Sequence, residues 1–352
     1  MRSSNMNKRK ILIITDTWLP QINGVVSALQ KTIKILEEQA YEVFVVHPGL
    51  FNTVPLLVYP EIRLALFPAR TMKTIFERED PDYVHITNEG PLGLAARSYC
   101  LKHKIPFTSS FHTHFPLYVP HYTPVGGKAL AQAGYQYLRW FHNASVKTMA
   151  ASQSLKEDLE KHGFEHVVIC PLGVDTDLFK RNEKAESRFK GPVFVYFGRI
   201  AKEKGLEEFF NSDLPGTKLV IGDGPARKSL EKKYGKEAVF VGYKKGQELI
   251  DLLSVSDVFV LPSVTETFGL VVVEALACGL PVAAHNVMGP KDIVTHGVEG
   301  FLGDDLEAVA KASLSLAGGK HREKALKFSW KHSAEAFAKH LVAISKGANS
   351  GK

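Results

Sequence analysis

Short runs of β-branched and aromatic residues alternate along the chain with segments whose apolar residues recur every three or four positions. The runs predict strands, and the recurring positions predict amphipathic helices. In the first helical segment, Val26, Leu29, Ile33 and Leu36 form one apolar stripe. Strands are expected at residues 11–15, 43–47, 84–87, 107–111, 146–150 and 167–169 in the first half, and at 193–197, 219–221, 239–241, 258–261 and 281–284 in the second. This alternation is typical of α/β proteins with parallel sheets.

The alternation is interrupted once, where a Pro-Leu-Gly-Val-Asp segment at 171–175 leads into a run rich in charges at 180–190. We interpret 173–190 as an interdomain linker between an N-terminal domain, 1–172, and a C-terminal domain, 191–328, each a doubly wound sheet. An amphipathic pattern predicts a C-terminal helix and tail, 329–352, that packs across the domains. Ligands of such sheets bind beyond the carboxyl ends of the strands, so a site is expected in a cleft where the two sheets face each other.

The composition is that of a two-domain globular protein, with 352 residues, 45% of them apolar and 23% charged. The longest apolar run, residues 270–284, contains Glu274 and Pro281 and is too short to span a bilayer. The basic N-terminus leads into only four apolar residues, so no signal peptide is expected. The three cysteines are scattered without CxxC spacing, which favours reduced thiols and a cytoplasmic protein.

The formal charge of +7 favours anionic partners such as nucleotides or acidic lipid headgroups. No Lys/Arg run with interleaved aromatic residues is present, so nucleic acid is not expected as a partner. Apolar and basic side chains interleave between residues 62 and 78: Ile62, Leu64, Leu66 and Phe67 with Arg63, Arg70, Lys73 and Arg78. They predict either a patch for peripheral contact with the inner face of an anionic membrane or a buried element with solvated charges.

The loop between the first predicted strand and helix, residues 16–25, is the first candidate for binding. Gly24 stands where the helix begins and has no Cβ to block a close approach of the backbone. The N–H groups at a helix N-terminus suit a phosphate, although a plain strand–helix turn explains the same residues. The GxGxxG pattern of ordinary dinucleotide folds is missing here.

Two histidines, His112 and His114, follow the strand predicted at 107–111. In extended backbone they share one face, so a metal pair is conceivable. No nearby cysteine or carboxylate completes such a site, and a histidine that contacts the substrate is the better interpretation. The Asp-Thr-Asp sequence at 175–177 lies in the predicted linker and is not expected to bind metal either.

In the second half, Arg199 and Lys204 follow the strand predicted at 193–197 and are bracketed by glycines. An arginine can bind a phosphate through two hydrogen bonds, and a lysine supplies a mobile positive charge. A solvated loop is the competing explanation, but the position at a strand end favours phosphate binding. The Gly-Asp-Gly-Pro sequence at 222–225 is a weaker signal, more typical of a turn.

The strongest candidate is the segment 266–275, in which Glu266 precedes a predicted helix and Glu274 lies within it. Burying a carboxylate on an apolar helix is costly unless it accepts hydrogen bonds, and a ribose diol offers two donors. Glu266, beside the backbone N–H groups of residues 268–270, suits the hydroxyls of a sugar ring. A salt bridge between Glu274 and a neighbouring Lys or Arg is the structural alternative.

These residues together resemble glycosyltransferase family 4, whose members are retaining nucleotide-sugar transferases with the two-domain GT-B fold. The matching positions are Glu266 and Glu274 for the E-x7-E motif, Arg199 and Lys204 for the R-x4-K element, His112 for the catalytic-centre histidine, and Gly24 for the phosphate-loop glycine. The likeness runs from the first strand to the helix at Trp330. It implies α/β architecture with two Rossmann-like domains facing across a cleft and a C-terminal helix that crosses back to the first domain.

The resemblance also implies a role for each matching residue. The catalytic set would be His112, Arg199, Lys204 and Glu266. The donor-binding set would be Gly24, Arg199, Lys204, Gly242, Tyr243, Glu266, Thr267, Phe268, Gly269, Leu270 and Glu274, with Glu274 on the ribose and Glu266 on the donor sugar. The acceptor-binding set would be Asp16, Asn23, Glu89, His114 and Tyr118.

Residues 59–63, 81–86 and 111–118 look most like the branch of lipid-directed α-mannosyl- and α-glucosyltransferases. The implied donor is GDP-mannose or, as second choice, UDP-glucose, and the implied acceptor is a lipid, glycolipid or saccharide; no cofactor or metal is implied. The chain departs from this branch at His114, commonly Asn, and at Asp292, often Glu. The segment between the Arg199 loop and the next strand is also short, which predicts a trimmed helix there.

Departure of a nucleoside diphosphate develops negative charge that preorganised cations and N–H groups stabilise. We therefore predict metal-independent, same-face transfer of a hexose with retention, in which Arg199 and Lys204 supply the counter-charge. A covalent intermediate on Glu266 is the alternative mechanism. The alternative functions are a glycoside hydrolase or phosphorylase, a nucleotide-sugar epimerase, and a non-catalytic membrane-surface binding module on a glycosyltransferase scaffold.

Overall fold

The computed structural model describes residues 8–21, 24–56, 62–117 and 126–345. The chain divides into two compact units. Among the described residues, unit 1 comprises 8–113, 129–171 and 330–345, and unit 2 comprises 114–128 and 172–329, both with the gaps just given.

Parallel strands and intervening helices make up both units. The strands are β1 (Arg9–Ile14), β2 (Tyr41–Val46), β3 (Thr53–Pro55), β4 (Arg63–Ala65), β5 (Tyr83–Ile86), β6 (Thr108–Phe111), β7 (Lys147–Ala150), β8 (Val167–Ile169), β9 (Val193–Phe197), β10 (Thr217–Ile221), β11 (Val239–Gly242), β12 (Val258–Leu261), β13 (Val282–Ala284) and β14 (Gly300–Leu302). The helices are α1 (Gly24–Glu38), α2 (Ala69–Glu79), α3 (Pro91–His103), α4 (Gly127–His142), α5 (Gln153–Lys161), α6 (Leu206–Asn211), α7 (Arg227–Tyr234), α8 (Gly246–Ser254), α9 (Leu270–Ala277), α10 (Pro290–Ile293), α11 (Leu306–Ser313), α12 (His321–Ala325) and α13 (Trp330–His340).

The sheet of unit 1 has the strand order β2-β1-β5-β6-β7-β8, with parallel pairing between neighbours. The chain moves outward in one direction from β1 to β2 and in the other from β5 to β8. The switch point therefore lies between β1 and β5, whose carboxyl ends lead into the loops at Asp16 and at Asn88–Gly90. Loops at a switch point diverge and leave room for a ligand.

The sheet of unit 2 repeats this plan with the order β11-β10-β9-β12-β13-β14. Its switch point lies between β9 and β12, which are buried along their whole length. Such continuous apolar runs are expected where helices cover both faces of a parallel sheet. The predicted doubly wound α/β architecture is confirmed for both halves.

The C-terminal helix α13 packs against α1 in unit 1. Phe337 and Leu341 join the buried cluster formed by Ile11, Ile13 and Leu29. The predicted return of the C-terminal helix to the first domain is therefore confirmed.

Three strands were not expected from the sequence pattern. β3 and β4 form an antiparallel hairpin, and β14 adds an edge to the second sheet. Each is three residues long, so a period-2 pattern has no room to develop. Gly300 opens β14 because a Cβ there would lie 2.0 Å from the carbonyl oxygen of Val282.

The start of the predicted linker is fixed to unit 2. The Val174 N–H donates to the carbonyl of Phe328 at 2.8 Å. The Arg322 guanidinium donates to the carbonyls of Thr176, Phe179 and Ala277. Asp175 of the Asp-Thr-Asp sequence accepts from the Leu178 N–H at 3.1 Å and so closes a local turn. No helix in the described part of the chain is both long and apolar enough to cross a membrane.

Candidate active site

The central contact of unit 2 joins the two loops that leave its switch point. Lys204 follows β9, Glu266 follows β12, and the Lys204 Nζ lies 2.6 Å from the Glu266 Oε1. Their side chains retain 19% and 12% of their surface, so the pair is largely desolvated yet open on one side. Two residues that the sequence assigned to different motifs are thus brought together by the strand order.

The charge of Glu266 is held by this pairing. Desolvation alone would raise its pKa, but the Lys204 charge and hydrogen bonds from Lys204 and Ser263 outweigh it and leave the pKa below the ordinary value. Gly205 permits the close approach of the two loops. It adopts a left-handed φ of 64°, and a Cβ there would lie 3.0 Å from the carbonyl oxygen of Pro262.

Arg199 lies on the same loop as Lys204, and its side chain is exposed. Its backbone is held by a hydrogen bond from the preceding strand, β9. The buried Tyr196 hydroxyl donates to the Arg199 carbonyl at 2.7 Å. Burial raises the pKa of Tyr196, and the charges of Lys204, Glu266 and Arg199 all act on it as well. The three predicted charges therefore converge around one tyrosine, which the sequence analysis did not identify.

The Gly-Asp-Gly-Pro sequence does more than form a turn. A Cβ at Gly222 would lie 1.9 Å from the carbonyl oxygen of Gly198, and one at Gly224 would lie 2.3 Å from that of Ile200. The Ile200 N–H donates to the Asp223 carbonyl at 2.9 Å. The two glycines thus let the loop after β10 brace the Arg199 loop, a role that the GxG spacing alone could have suggested.

Glu274 lies in the second turn of α9, a helix whose other side chains are apolar. Desolvation raises its pKa to about 7. No salt bridge to Glu274 is present among the described residues, so the structural alternative of a neighbouring Lys or Arg gains no support. A carboxylate that is desolvated on an apolar helix is suited to hydroxyl donors supplied by a ligand.

The loop between Glu266 and α9 is shaped by two glycines. Gly269 adopts φ 87° and is the N-cap residue of α9, whose first N–H groups lack intrahelical acceptors. Gly289 also adopts φ 87°, and a Cβ there would lie 2.8 Å from the Phe268 carbonyl oxygen and 3.0 Å from the Glu266 Cβ. The Gly289 N–H donates to Asp292 at 3.1 Å. Gly289 therefore supports the loop that carries Glu266, which we call the glutamate loop. In the sequence, only the position of Gly289 after a predicted strand pointed to such a role.

The predicted donor-binding residues Gly242 and Tyr243 lie at the end of β11, two strands from the β9 strand that leads to Arg199. Gly242 ends β11 with φ 76°, and its carbonyl accepts from the Gly222 N–H at 2.9 Å. Tyr243 is exposed. Thr267 is partly buried, and the Phe268 ring is buried against Phe328, so Phe268 can offer a ligand only its backbone.

In unit 1, the carboxylate of Asp16 is engaged in hydrogen bonds within the protein. Its carboxylate accepts from the N–H groups of Leu92 and Gly93 at 2.9 and 3.2 Å, at the N-terminus of α3. A Cβ at Gly90 would lie 2.5 Å from the Asp16 Cγ, so glycine is required there. Desolvation raises the pKa of Asp16 to about 6 in spite of these bonds. Its acceptor role remains a prediction, and its carboxylate is a cap in this structure.

Glu89 is oriented by a buried histidine. The His142 Nε2 lies 2.8 Å from the Glu89 Oε1, and the His142 Nδ1 lies 2.8 Å from the Ser109 Oγ. Nearby, desolvation lowers the pKa of His112 to about 4, partly offset by the charge of Glu89. His112 is therefore neutral at neutral pH and suited to hydrogen bonding instead of carrying a charge.

The remaining predicted residues are placed as follows. Gly24 is the first residue of α1, and His114 is fully buried. Asn23 and Tyr118 lie outside the described residues, as do 59–61. In the predicted lipid-facing patch, Phe67 is 92% exposed and Leu66 is 40% exposed, whereas Ile62 and Leu64 are partly buried.

Two halves with this topology, followed by a helix that returns to the first half, define the GT-B class. Sucrose-phosphate synthase from Thermosynechococcus elongatus superposes with a TM-score of 0.75 at 18% identity, covering 94% of this chain and 98% of that one. HepE of Anabaena, solved with UDP and glucose, gives 0.70 at 18% identity with the same coverage. The GT-B fold is thereby confirmed.

Comparison with known proteins identifies the family. The model for Glycosyltransferase Family 4 matches residues 22–178, and that for Glycosyl transferases group 1 matches 179–329. Sulfoquinovosyl transferase SQD2 of Arabidopsis thaliana is 30% identical over 92% of this chain and 71% of its own length. A GDP-mannose-dependent alpha-mannosyltransferase of Mycobacterium tuberculosis is 29% identical over 83% of each chain. Alpha-monoglucosyldiacylglycerol synthase of Acholeplasma laidlawii is 28% identical over 78% of this chain and 79% of its own. The chain belongs to glycosyltransferase family 4.

Proposed function

We propose that the protein transfers a hexose from a nucleotide-diphosphate sugar to a hydroxyl of a lipid or glycolipid, with retention of anomeric configuration and without a metal. The observation that carries this proposal is the Lys204–Glu266 contact of 2.6 Å at the switch point, with Arg199 and Glu274 on the adjoining loop and helix. Cations for a diphosphate and carboxylates for hydroxyl groups are thus supplied by adjacent elements of one unit.

Each group has a chemical task in this proposal. Arg199 and Lys204 stabilise the negative charge that develops on the β-phosphate. Glu266 and the N–H groups at the start of α9 hold the hexose, and Glu274 holds the ribose. His112, neutral and partly buried, donates or accepts a hydrogen bond beside the anomeric carbon. Gly24, at the start of α1, adds a second helix N-terminus for the diphosphate.

The transfer breaks the bond between the anomeric carbon and the β-phosphate oxygen and forms a bond from the acceptor oxygen on the same face. The acceptor proton passes to the departing phosphate, so no protein base is required. The ion pair with Lys204 lowers the pKa of Glu266 and occupies one carboxylate oxygen, which disfavours Glu266 as a nucleophile. Retention in the product by NMR is expected. A glycosyl adduct trapped on Glu266 would contradict same-face attack.

GDP-mannose is the favoured donor and UDP-glucose the second choice. Support comes from the relatives named as GDP-mannose-dependent mannosyltransferases. The test is a panel of nucleotide sugars, with release of the nucleoside diphosphate measured with and without lipid acceptors. GDP should inhibit competitively if GDP-mannose is used. Absence of inhibition by both GDP and UDP would favour a glycoside hydrolase or phosphorylase, and product without any acceptor would favour an epimerase.

Metal independence is supported by the presence of two cations, Arg199 and Lys204, on the loop that follows β9. We expect turnover to persist in excess chelator because Arg199 and Lys204 supply the counter-charge for the leaving group. Loss of turnover in chelator and its recovery with a divalent ion would contradict this part of the proposal.

Transfer to a lipid acceptor requires the protein to contact a membrane surface. Support comes from the relative named alpha-monoglucosyldiacylglycerol synthase and from the exposed Phe67 and Leu66, which are close in sequence to Arg63 and Arg70. We propose peripheral, salt-sensitive contact with anionic membrane through residues 62–78. Sedimentation with liposomes that does not depend on anionic lipid would remove this element of the proposal.

A further inference from the structure

A carboxylate near the carboxyl end of β5 is held through one of its two oxygens. Glu89 follows β5 at the switch point of unit 1, and its side chain retains 10% of its surface. The Glu89 Oε1 lies 2.8 Å from the His142 Nε2. Among the residues that the structure describes, the Oε2 accepts no hydrogen bond. A carboxylate this far desolvated is stabilised by further donors, which a ligand with hydroxyl groups can supply.

The backbone of Glu89 is fixed separately from its side chain. The Tyr137 hydroxyl donates to the Glu89 carbonyl at 2.5 Å. The side chain of the preceding residue, Asn88, accepts from the Asp16 N–H at 3.2 Å. Because the main chain is held in this way, the direction of the Glu89 carboxylate is set by its bond to His142.

His142 is itself held by a buried polar cluster. It is the last residue of α4 and is fully buried, with its ring 5.2 Å from that of Phe141 and 5.6 Å from that of Phe111. Its Nδ1 lies 2.8 Å from the Ser109 Oγ. The Ser109 hydroxyl lies 3.0 Å from that of Ser145, which donates to the His142 carbonyl at 2.7 Å. Rotation of the imidazole would break these bonds, so the Nε2 is presented in one direction.

Ser109, His142 and Glu89 stand in the order of a hydrolase triad, but their exposure is reversed. In a serine hydrolase the serine faces the substrate and the carboxylate is buried behind the histidine. Here Ser109 and His142 are fully buried, and Glu89 is the end that reaches the surface. The Ser109 hydroxyl therefore cannot act as a nucleophile, and the group that can contact a ligand is the carboxylate.

The hydrogen between His142 and Glu89 has a defined place. A carboxylate only accepts hydrogen bonds, so an ionised Glu89 requires the hydrogen on the His142 Nε2, whichever way the Ser109 hydroxyl points. Glu89 also acts on His112, because its charge opposes the fall in the pKa of that histidine. The Glu89 carboxylate therefore lies in the electrostatic environment of His112.

We propose that His142 is a positioning residue, which holds one oxygen of Glu89 so that the other accepts a hydrogen bond from a hydroxyl of the sugar acceptor beside His112. Glu89 takes no proton in this role, since the acceptor proton passes to the departing phosphate. The role rests on the proposed transfer to a lipid or glycolipid, but the His142–Glu89 bond can be measured without turnover.

The kinetic test separates the two nitrogens of His142. It measures transfer from GDP-mannose and from UDP-glucose to dioctanoylglycerol and its glucoside in detergent micelles. Glutamine places an amide nitrogen near the position of the Nε2, and asparagine places one near that of the Nδ1. His142→Gln should keep kcat/KM for the acceptor within about threefold, whereas His142→Asn should lower it about tenfold or more. The KM for the donor should change by less than about twofold in both.

A double-mutant cycle distinguishes positioning from a general loss of stability. Glu89→Gln should lower kcat/KM for the acceptor about tenfold or more, and adding His142→Asn should lower it by less than about threefold further, because both act through one contact. His85→Gln is the control, since His85 is a buried histidine of the same unit that bonds to the hydroxyls of Thr108 and Ser110 instead of a carboxylate. It should lower the melting temperature and leave the KM for the acceptor unchanged.

Three kinetic outcomes would overturn the proposal. They are equal losses in His142→Gln and His142→Asn, independent losses for His142→Asn and Glu89→Gln in the cycle, and a raised KM for the acceptor in His85→Gln.

Proton NMR tests the bond itself. A buried imidazole N–H bound to a carboxylate gives a downfield signal that is protected from exchange with water. The signal should be lost in His142→Asn, move upfield in Glu89→Gln, and shift when dioctanoylglycerol or its glucoside is added. Absence of the signal, or a signal that neither acceptor moves, overturns the proposal. If the signal responds in a protein that binds no nucleotide sugar, the proposed function fails while the positioning of Glu89 stands.

Discussion

Glu274 combines a proposed ribose-binding role with an environment that disfavours its charge. Its pKa is raised to about 7 by desolvation, so the free protein holds it largely protonated at pH 6 and ionised at pH 8. A carboxylate that accepts two ribose hydrogen bonds must be ionised. We predict that affinity for GDP-mannose falls about tenfold between pH 8 and pH 6, as measured by calorimetry.

Glu274→Gln serves as the control for this pH dependence. Its affinity should be lower than that of the wild type at pH 8 and flat between pH 6 and 8, because no proton is exchanged. A Gln variant that retains the wild-type slope would assign the titration to another group. Unchanged affinity in Glu274→Ala would remove the ribose role altogether.

The same residue predicts a pH-dependent cost in stability. The ordinary pKa of 4.5 applies to the unfolded chain and the raised value of about 7 to the folded one, so the folded state holds its proton longer. Stability therefore falls as pH rises from 4.5 to about 7 and then levels off. Glu274→Gln should be more stable than the wild type by about 2 kcal/mol at pH 8, with little difference at pH 4.5, in urea titrations. An advantage that is equal at both pH values would contradict this account.

At the scale of elements, Gly289 supports the glutamate loop from a neighbouring turn. Gly289→Ala would force a Cβ to 2.8 Å from the Phe268 carbonyl oxygen at a left-handed φ of 87°. We expect the loop to shift, with a loss of donor affinity of tenfold or more and of about 2 kcal/mol in stability.

Gly279→Ala is the matched control for this loop. Gly279 has a similar φ of 80°, but a Cβ there meets nothing within 4 Å. It should lose about 1 kcal/mol from backbone strain and keep donor affinity. Equal loss of donor affinity in both variants would show that strain, not the contact with Phe268, is responsible.

The sequence predicted the features whose apolar residues recur with a fixed period or whose polar residues stand at a characteristic spacing. Long strands such as β9 and the pairs Arg199/Lys204 and Glu266/Glu274 were found because their residue types and spacings are local. Gly289 was missed because its contacts join two loops that only the strand order brings together. Tyr196 was missed because it lies in a buried apolar strand, where nothing in the pattern marks the bond from its hydroxyl to the Arg199 carbonyl. β14 was missed because three residues carry no period, and the Asp16 cap because its partners are 76 and 77 residues away.

At the scale of the whole molecule, the C-terminal helix α13 and the first strand β1 belong to the same unit. Phe337 of α13 is buried, and its ring lies 4.7 Å from that of the fully buried His85 under the sheet of unit 1. Phe337→Ala should open a cavity and lower the stability of unit 1 by about 3 kcal/mol, as measured by thermal unfolding.

We expect Phe337→Ala to leave the binding of the nucleotide sugar largely unchanged. Affinity for GDP-mannose below the melting temperature is expected to stay within about twofold, because the altered core shares no partner with the proposed donor residues of unit 2. Leu326→Ala, at an exposed position, should alter neither property. A larger loss of donor affinity in Phe337→Ala would show that the packing of α13 on α1 positions Gly24 for the diphosphate.

The cap formed by Asp16 closes one helix N-terminus of unit 1 to anionic ligands. A phosphate that approached the N-terminus of α3 would meet the Asp16 carboxylate, which already accepts from the N–H groups of Leu92 and Gly93. We infer that the proposed diphosphate contact of unit 1 is therefore left to the N-terminus of α1 at Gly24.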